Sequence, residues 1–408
     1  MDKIKLQNYA KLIAKIGLNV QPGQKVFIAC ALDQPDFVTQ VVEECYKAGA
    51  SDVFVEWSHQ PVEKLSACYR KEESLSKMLP WVQSKWAYKA ENYACRLWLE
   101  SEDPDGMNGV DQEKMSRVRQ ALYPQVKPFR QALENKHQWC IAAVPGRAWA
   151  KKIFPTLTEA DAEEKLWQAI LTASRADGDD PVKAWEEHNA DLRARSEYLN
   201  SLGLKYLEYK SANGTDLTVE LLEDGVFTGG VEKTLQGGVF NPNIPTEEVF
   251  TSPKAGAVEG IVYSTKPLSY MGEVIDNFSL RFSGGKVVEA KAEKGEELLK
   301  KMVSMDDGAG KLGECALIPY ESPINQTGVL FYNTLFDENA SCHFAVGHGF
   351  NECLKGFENY TDEECKARGI NDSMIHVDFM IGARDTSIVG ITKTGERVQI
   401  FKNGTWAF

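Results

Sequence analysis

A short apolar stretch near the C-terminal end carries two side chains that can bind a metal ion together. The stretch is His376-Val377-Asp378-Phe379-Met380-Ile381-Gly382, and its Val, Phe, Met and Ile residues predict a buried β-strand. Side chains two positions apart on a strand point to the same face, so His376 and Asp378 project together. Because an unpaired charge is costly in a protein interior, this pair needs a partner. An ion pair or a divalent metal bound by imidazole and carboxylate would meet that need.

A second stretch with possible ligands precedes this strand. In Asp337-Glu-Asn-Ala-Ser-Cys-His343, good helix-capping residues stand before an apolar run, which predicts a helix starting near Ser341. Such a helix would contain His343 in its first turn, with Phe350 on the same face and His348 well to the side. From the residues alone, His343 is either a capped or core histidine or a ligand. The remaining histidines lie in polar surroundings and are predicted to be solvated: His59, His137 and His188.

Two acidic positions stand out among apolar or rigid neighbours. Glu314 lies in an otherwise apolar strand, and charged side chains are rarely fully buried unless they are paired. Glu247 and Glu248 follow the loop Asn241-Pro-Asn-Ile-Pro-Thr, in which two Pro and two Asn restrict the backbone. A buried salt bridge at Glu314 and a solvated loop at Glu247-Glu248 are the structural alternatives to metal binding.

Taken together, these carboxylates and imidazoles match a site for two divalent metal ions. Carboxylate oxygens hold and bridge hard cations, whereas imidazole selects transition metals. Two ions a few ångström apart lower the pKa of a bridging water and polarise a carbonyl group. The chemistry that this set of residues predicts is hydrolysis.

The elements that must position these residues fall into two regions with different patterns. In the first region, strands predicted at 25–30 and 51–57 flank a helix at 36–48, which indicates a β-α-β unit and a parallel sheet. Residues 62–100 are predicted to be helical, and a further strand is predicted at 138–145. The loop after the first strand has neither G-x-G-x-x-G nor Gly-Lys-Ser/Thr, which argues against dinucleotide or P-loop binding.

The second region begins after about residue 203 with a hairpin signature around Asn213-Gly214. More strands are predicted downstream, among them 313–319 and 329–332. The fold prediction is therefore an α/β N-terminal domain with a parallel sheet, residues 1–202, followed by an α+β, mainly antiparallel C-terminal catalytic domain, residues 203–408.

Composition excludes several classes of partner. The 408-residue chain has a net charge of −13, which argues against nucleic-acid binding and against an anionic membrane surface. No run of about 18 apolar residues is present to span a membrane. The nine cysteines form no CxxC pair and the first residues lack an apolar signal core, so the expected location is the cytoplasm, with reduced thiols.

Five stretches in the second half resemble the aminopeptidase T / aminopeptidase S family of dinuclear metallo-aminopeptidases. They occur in the family's order, and the N-terminal half agrees with the family in outline. The stretches are Asn-Gly-Thr-Asp-Leu (213–217), Asn-Ile-Pro-Thr-Glu-Glu-Val-Phe-Thr (243–251), Leu-Gly-Glu-Cys-Ala-Leu-Ile-Pro (312–319), Asp-Glu-Asn-Ala-Ser-Cys-His (337–343) and His-Val-Asp-Phe-Met-Ile-Gly (376–382).

The resemblance implies a set of metal ligands and a reaction. The positions that match the family's ligands are Glu248, Glu314, His343, His376 and Asp378. Glu314 would be shared by two divalent ions (Zn, Co or Mn), and Glu338 would act from outside the ligand set or as a proton carrier. The implied activity is the release of N-terminal amino acids from peptides by a metal-bound hydroxide, in a homodimer.

One position departs from the family pattern. The family has a Tyr, thought to be catalytic, seven residues after the ligand at His343, and this chain has Phe350 there. A phenyl ring cannot donate a hydrogen bond to a developing oxyanion, and losing one such donor typically costs about 10²–10³ in rate. The alternatives are therefore a low-activity member, a dinuclear hydrolase of another small amide or ester, or a binding protein that keeps a decayed site.

Overall fold

The structure is a computed structural model that describes residues 2–408, in which the chain forms two units. The first unit contains the residues up to Glu187 together with Val231–Pro245. The second unit contains His188–Gly230 and Thr246–Phe408.

Strands occur in both units. In chain order, they are β1 (Lys25–Ala31), β2 (Asp52–Ser58), β3 (Cys95–Glu100), β4 (Trp139–Ala143), β5 (Leu204–Lys210), β6 (Asp216–Leu221), β7 (Glu232–Lys233), β8 (Val239–Phe240), β9 (Val249–Thr251), β10 (Pro253–Tyr263), β11 (Leu268–Tyr270), β12 (Glu273–Ser283), β13 (Lys286–Lys294), β14 (Leu312–Leu317), β15 (His343–Gly347), β16 (His376–Met380), β17 (Ser387–Thr392), β18 (Arg397–Lys402) and β19 (Thr405–Trp406).

The α-helices are α1 (Lys3–Leu12), α2 (Pro35–Lys47), α3 (Gln60–Tyr69), α4 (Glu72–Leu75), α5 (Pro80–Glu91), α6 (Gln112–Leu133), α7 (Arg147–Ile153), α8 (Glu159–Ala173), α9 (Pro181–Ser201), α10 (Glu296–Val303), α11 (Pro323–Gln326), α12 (Thr334–Asp337) and α13 (Asp362–Ala367). A π-helical segment, Ile13–Gly17, follows α1, and 3-10 turns lie at Glu338–Ala340, Asn351–Cys353 and Phe357–Asn359. Within the described residues, no helix combines the length and the apolar character needed to cross a membrane.

The first unit is built on a parallel sheet with the strand order β2-β1-β3-β4. Its central strands bury apolar side chains such as Val26, Ile28 and Leu97, as expected where helices cover both faces of a parallel sheet. The predicted α/β unit with a parallel sheet is therefore confirmed. The prediction that residues 62–100 are helical throughout is wrong at its end, because Cys95, Leu97 and Leu99 are buried with the two-residue period of a strand.

The second unit contains two mainly antiparallel sheets, which confirms the predicted α+β class. The larger sheet has the order β11-β12-β10-β6-β5-β17-β18-β19, and β13 pairs with β12. The smaller sheet has the order β16-β15-β14-β9, and all its pairings are antiparallel. Side chains from both sheets, such as Tyr209 and Phe344, belong to one hydrophobic core.

The predicted helix starting near Ser341 is wrong. Residues 343–347 form strand β15, which pairs with β14 on one side and β16 on the other. All five residues of this strand are buried, so both of its faces are covered, and a short buried strand has no alternation to distinguish it from a helix. The predicted strand at 329–332 is also absent from the described residues, because the backbone N–H of Phe331 donates to Asp337 Oδ1 at 2.8 Å.

The units divide the chain differently from the ranges 1–202 and 203–408, which stay a prediction for its domains. Helix α9 contributes Leu192 and Leu199 to the core of the second unit. The segment 231–245 returns to the first unit, where the backbone N–H of Ile244 donates to Ile141 O at 2.9 Å. Two histidines predicted to be solvated are not: His137 is buried, and His188 is half-buried with Nε2 2.8 Å from Thr246 O.

Candidate metal centre

Three neighbouring strands of the smaller sheet bring four of the predicted ligands to one face. Glu314 on β14 and Asp378 on β16 both lie opposite Ala345 on β15, so the three side chains form one row across the sheet. Because side chains two apart on a strand share a face, His343 lies beside Ala345, and His376 lies beside Asp378. Between the two carboxylates, Ala345 contributes only a methyl group.

The opposite face of these strands is apolar and anchors them. Cys315, Phe344, Val346 and Phe379 alternate with the polar residues and belong to the hydrophobic core of the second unit. Each is buried, so the register that fills the core also directs the carboxylates and imidazoles to the other side.

The remaining two predicted residues reach this face from loops. Glu248 immediately precedes β9, which pairs with β14, and the preceding backbone N–H of Glu247 donates to Asn339 Oδ1 at 2.8 Å. Glu338 begins a 3-10 turn, and the amide of Asn339 donates to Glu338 Oε1 at 3.3 Å. Asn339 is fully buried and thus links the two acidic segments.

The ligand atoms form two groups that share one residue. Glu248, Glu314 and His343 form the first group, and Glu314, His376 and Asp378 form the second, with the atoms in each group within 4.8 Å of one another. His343 Nε2 lies 3.5 Å from Glu248 Oε2, and His376 Nε2 lies 3.2 Å from Glu314 Oε2 and 3.1 Å from Asp378 Oδ1. This arrangement offers two overlapping sets of ligand atoms for divalent cations, with Glu314 common to both.

Both imidazoles are held in the tautomer that a metal requires. His343 Nδ1 lies 2.7 Å from the carbonyl oxygen of Glu338, and His376 Nδ1 lies 2.7 Å from that of His348. A carbonyl oxygen only accepts hydrogen bonds, so each Nδ1 carries the proton. Each Nε2 then faces the carboxylates and is the nitrogen that remains to bind a metal, as in metal sites where a carbonyl orients the histidine.

Four carboxyl groups in this small volume repel one another. Burial raises the pKa of Glu248 well above its usual value, and the nearby Glu314 and Asp378 raise it further. Burial likewise raises the pKa of Glu338, with added repulsion from Asp378 and Glu248. Burial opposes protonation of His376, but the attraction of Asp378 and Glu314 is stronger and raises its pKa well above the usual value. The cluster therefore favours bound positive charge.

The donor set fits divalent cations better than it fits an ion pair. Asp378 Oδ1 is buried, with His376 Nε2 at 3.1 Å and His343 Nε2 at 3.9 Å, so one carboxylate oxygen and both imidazoles face the same small space. Burial opposes ionisation of Asp378, but the adjacent His376 outweighs it and lowers the pKa, which favours the charged form that binds metal.

Of the residues singled out from the sequence, the structure brings six together: Glu248, Glu314, Glu338, His343, His376 and Asp378. It does not bring in the imidazole of His348, whose Nδ1 lies 3.9 Å from Asp372 Oδ1 and whose side chain is half exposed. The sequence analysis missed Ala345 as a spacer and Asn339 as a link. The position of Ala345 two residues after His343 would have identified it had the strand been recognised.

Phe350 packs directly against one of the imidazoles. Its ring centroid lies 4.8 Å from that of His376 and 5.5 Å from that of Phe250. Its backbone N–H donates to Ser252 Oγ at 2.8 Å. The ring therefore supports the His376 side of the centre without offering a polar atom to it.

Comparison with known proteins identifies the family. Residues 2–406 match the thermophilic metalloprotease (M29) family. Aminopeptidase 2 of Geobacillus stearothermophilus is 41% identical over 405 residues, which cover 99% of this chain and 98% of that protein. Aminopeptidase T of Thermus aquaticus is 39% identical over 402 residues, or 98% of each chain. The solved structure of wild-type AmpT from Thermus thermophilus covers 100% of both chains with a TM-score of 0.91 and 37% identity. The resemblance seen in the sequence is thus confirmed, and the chain belongs to the thermophilic metalloprotease (M29) family.

Proposed function

We propose that this chain releases single amino acids from the N-termini of peptides by hydrolysis at a centre of two divalent cations. The observation that carries the proposal is the presence of Glu314 in both ligand groups, from which its carboxylate can bridge two ions. Membership in a metalloprotease family and relatives named as aminopeptidases support the metallo-aminopeptidase class.

The proposed ligand set divides between the two ions. Glu248 and His343 hold one ion together with Glu314, while His376 and Asp378 hold the other. Imidazole combined with carboxylate suits Zn, Co or Mn, so these are the candidate metals. When bound, such a pair of cations lowers the pKa of a water between them and polarises the scissile carbonyl.

The residues around the ligands are proposed to move the protons and orient the substrate. The raised pKa of Glu338 suits a carboxylate that takes a proton from the attacking water and returns it to the leaving amine. The free ammonium group of the substrate is proposed to be held by an acidic residue beside the ligands, Glu247 or Glu338. The ligand carboxylates and His343 are buried, and the lower local dielectric strengthens these charge interactions.

Paired variants separate metal binding from proton transfer. In Glu314→Ala we expect loss of both ions and of aminoacyl-nitroanilide hydrolysis with added Zn²⁺, Co²⁺ or Mn²⁺. In Glu338→Gln we expect both ions to remain while kcat falls by about 10²–10⁴, the usual contribution of a positioned acid–base group. Elemental analysis and kinetics measure the two effects. Unchanged activity in Glu314→Ala would remove the proposal, and unchanged kcat in Glu338→Gln would remove the role of that residue.

A second candidate function is hydrolysis of another small amide or ester at the same centre. Phe350 favours it, because the ring against His376 has no hydroxyl to donate to an oxyanion on a peptide carbonyl. A panel of amino-acid amides and acyl esters, assayed with the same metal, decides between the aminopeptidase activity and this second function. Preference for acyl esters lacking a free ammonium group would support this second function over the aminopeptidase.

We further propose a homodimer in the cytoplasm with peptides as substrates. All nine cysteines are free thiols, which suits a reducing compartment. Light scattering on the purified protein tests the assembly, since one chain has a mass of 45.5 kDa. A mass of one chain at micromolar concentration would contradict the dimer, and recovery of the protein outside the cytoplasmic fraction would contradict the location.

A further inference from the structure

The first unit has an open cleft whose lining residues all belong to that unit. The cleft has a volume of about 680 Å³, within the ~300–1,000 Å³ typical of small-molecule sites. It lies at the carboxyl ends of the parallel strands, where Asp33 follows β1, His59 follows β2 and Glu102 follows β3. Because β1 connects to β2 on one side and β3 connects to β4 on the other, the ends of β1 and β3 form the switch point of the sheet. Open α/β sheets bind ligands at this position.

The loops that form the cleft are tied to one another by side chains. The amide of Gln60, at the start of α3, donates to Asp103 O and accepts from Asp103 N–H, both at 3.0 Å. The buried hydroxyl of Ser101 donates to Asp33 Oδ2 at 2.8 Å, which joins the ends of β3 and β1. Lys152 forms an ion pair with Asp105. A cleft whose walls are already fixed loses little conformational entropy when a ligand binds.

Charges of both signs face the cleft without neutralising one another. Asp33 and Glu102, at the two central strands, have no cation within salt-bridge distance among residues 2–408. Lys64 and Arg147 lie beside the outer strands, where Arg147 makes only a long contact of 3.5 Å with Glu163 and Lys64 makes no ion pair among the same residues. The centre of the cleft thus attracts a cationic group, and its edges attract an anionic one.

This pattern argues against a simple ion site. Phosphate would meet Asp33 and Glu102 at the centre of the cleft. A divalent metal would need several close ligand atoms, and within the described part of the chain such groups occur only at the metal centre. A ligand with a separated ammonium and carboxylate satisfies both sets of charges.

We propose that this cleft binds a small zwitterion, a free amino acid or short peptide, with its ammonium group at Asp33 and Glu102 and its carboxylate toward Arg147. The site is independent of the metal centre, and the inference does not rest on the proposed peptidase activity. Its ligand specificity comes from the switch point of the parallel sheet and from the loops after β1, β2 and β3.

Calorimetric titration of the full-length protein tests the proposal. The probes are L-leucine, L-phenylalanine, L-methionine and L-alanine, whose side chains are uncharged, each compared with its decarboxylated amine and its deaminated acid. At least one amino acid is expected to bind, with both of its analogues about tenfold or more weaker, since each lacks one charge-assisted contact. Binding by none of the four, or equally tight binding by an amine or acid alone, would overturn the proposal.

Matched variants locate the binding. Glu102→Gln and Arg147→Gln change exposed side chains of the cleft and are each expected to weaken binding about tenfold. Glu91→Gln and Arg119→Gln change exposed side chains of the same unit outside the cleft and are expected to have no effect. Binding is also expected to persist in Glu314→Ala. Loss of binding in Glu314→Ala, or its survival in both cleft variants, would assign the ligand to another site.

Discussion

At the scale of single residues, the groups around each candidate ligand set its orientation. Backbone carbonyls orient the two histidines, and such contacts cannot be predicted from the spacing of residues in the sequence. Glu314 could be recognised from the sequence because a lone acid in an apolar strand needs a partner. Phe350 could be recognised only through the family resemblance, because nothing in its local sequence distinguishes it from a core residue.

Adding a hydroxyl at Phe350 tests what this position contributes. The Phe350→Tyr variant keeps the packing against His376 and adds a donor on the side of the centre where the ring lies. We expect kcat on aminoacyl-nitroanilides to rise by up to about 10²–10³, the usual effect of one oxyanion donor, with unchanged metal content. The Phe250→Tyr variant is a control on the neighbouring ring. No rise in Phe350→Tyr would mean that another group already donates to the oxyanion.

His137 makes the first unit less stable in acid. Burial lowers its pKa to about 4, its Nδ1 bonds Leu133 O at 2.9 Å, and its buried Nε2 has no partner among the described residues. The unfolded chain binds this proton from about pH 6.5 downward and the folded chain only near pH 4, so stability falls as pH falls through this window.

The expected size of this effect is about 2 kcal/mol at pH 5 relative to pH 7. His137→Gln should remove that part of the pH dependence, whereas His59→Gln, at an exposed position, should keep it. Urea unfolding followed by fluorescence at both pH values provides the measurement. Equal pH dependence in the wild type and His137→Gln would contradict a neutral buried histidine.

At the scale of elements, the register of β14, β15 and β16 decides which side chains meet. Ala345 stands between Glu314 and Asp378 in one row, whereas Val346 faces the core. We expect Ala345→Val to place two further methyl groups between the carboxylates and to lower the bound metal per chain, at a cost in stability of about 1–3 kcal/mol because the site is buried. We expect Val346→Ala to lower stability by about 2 kcal/mol with full metal content.

Metal analysis and chemical denaturation of Ala345→Val and Val346→Ala measure the loss of bound metal and the loss of stability separately. If Ala345→Val bound both ions normally while Val346→Ala lost them, the assignment of faces would be wrong. If both variants lost metal in proportion to their loss of stability, β15 would affect metal binding only through its contribution to folding.

The strands also show how much of the fold could be predicted from the sequence. The parallel strands β1, β2 and β4 and the strand of His376 and Asp378 are evident from apolar runs and turns. Strand β15 is not, because its five residues are all buried and the polar residues before it resemble a helix cap. The site residues were still found together because the family motifs include them whatever their secondary structure. The face that they share could be derived only from the strand register.

At the scale of the whole molecule, sequence order and spatial units differ. Residues 231–245 return to the first unit after the second has begun, and Leu192 and Leu199 join the second before the predicted boundary. The pattern of residues along the chain does not reveal that segment 231–245 belongs to the first unit, because so short a segment has no hydrophobic core of its own. The functional consequence is that all the proposed metal ligands lie within the second unit.

Metal removal should therefore destabilise one unit selectively. Ligand binding to the folded state contributes about 4 kcal/mol at a thousandfold excess over Kd, and chelation withdraws it from the unit that holds the ions. The raised pKa values of Glu248, Glu338 and His376 mean that the metal-free unit keeps their protons at low pH and loses stability as pH rises through those values. The loss of stability caused by chelation should thus be larger at pH 8 than at pH 6.

Calorimetry with and without EDTA, combined with hydrogen exchange, distinguishes the two units. Peptides from β14, β15 and β16 should exchange faster after chelation, and peptides from β1, β3 and β4 should not change. The effect should be absent in Glu314→Ala, which starts without bound ions. Equal acceleration in both units, or an EDTA effect that shrinks as pH rises, would contradict a centre in which buried carboxylates of the second unit are neutralised by metal.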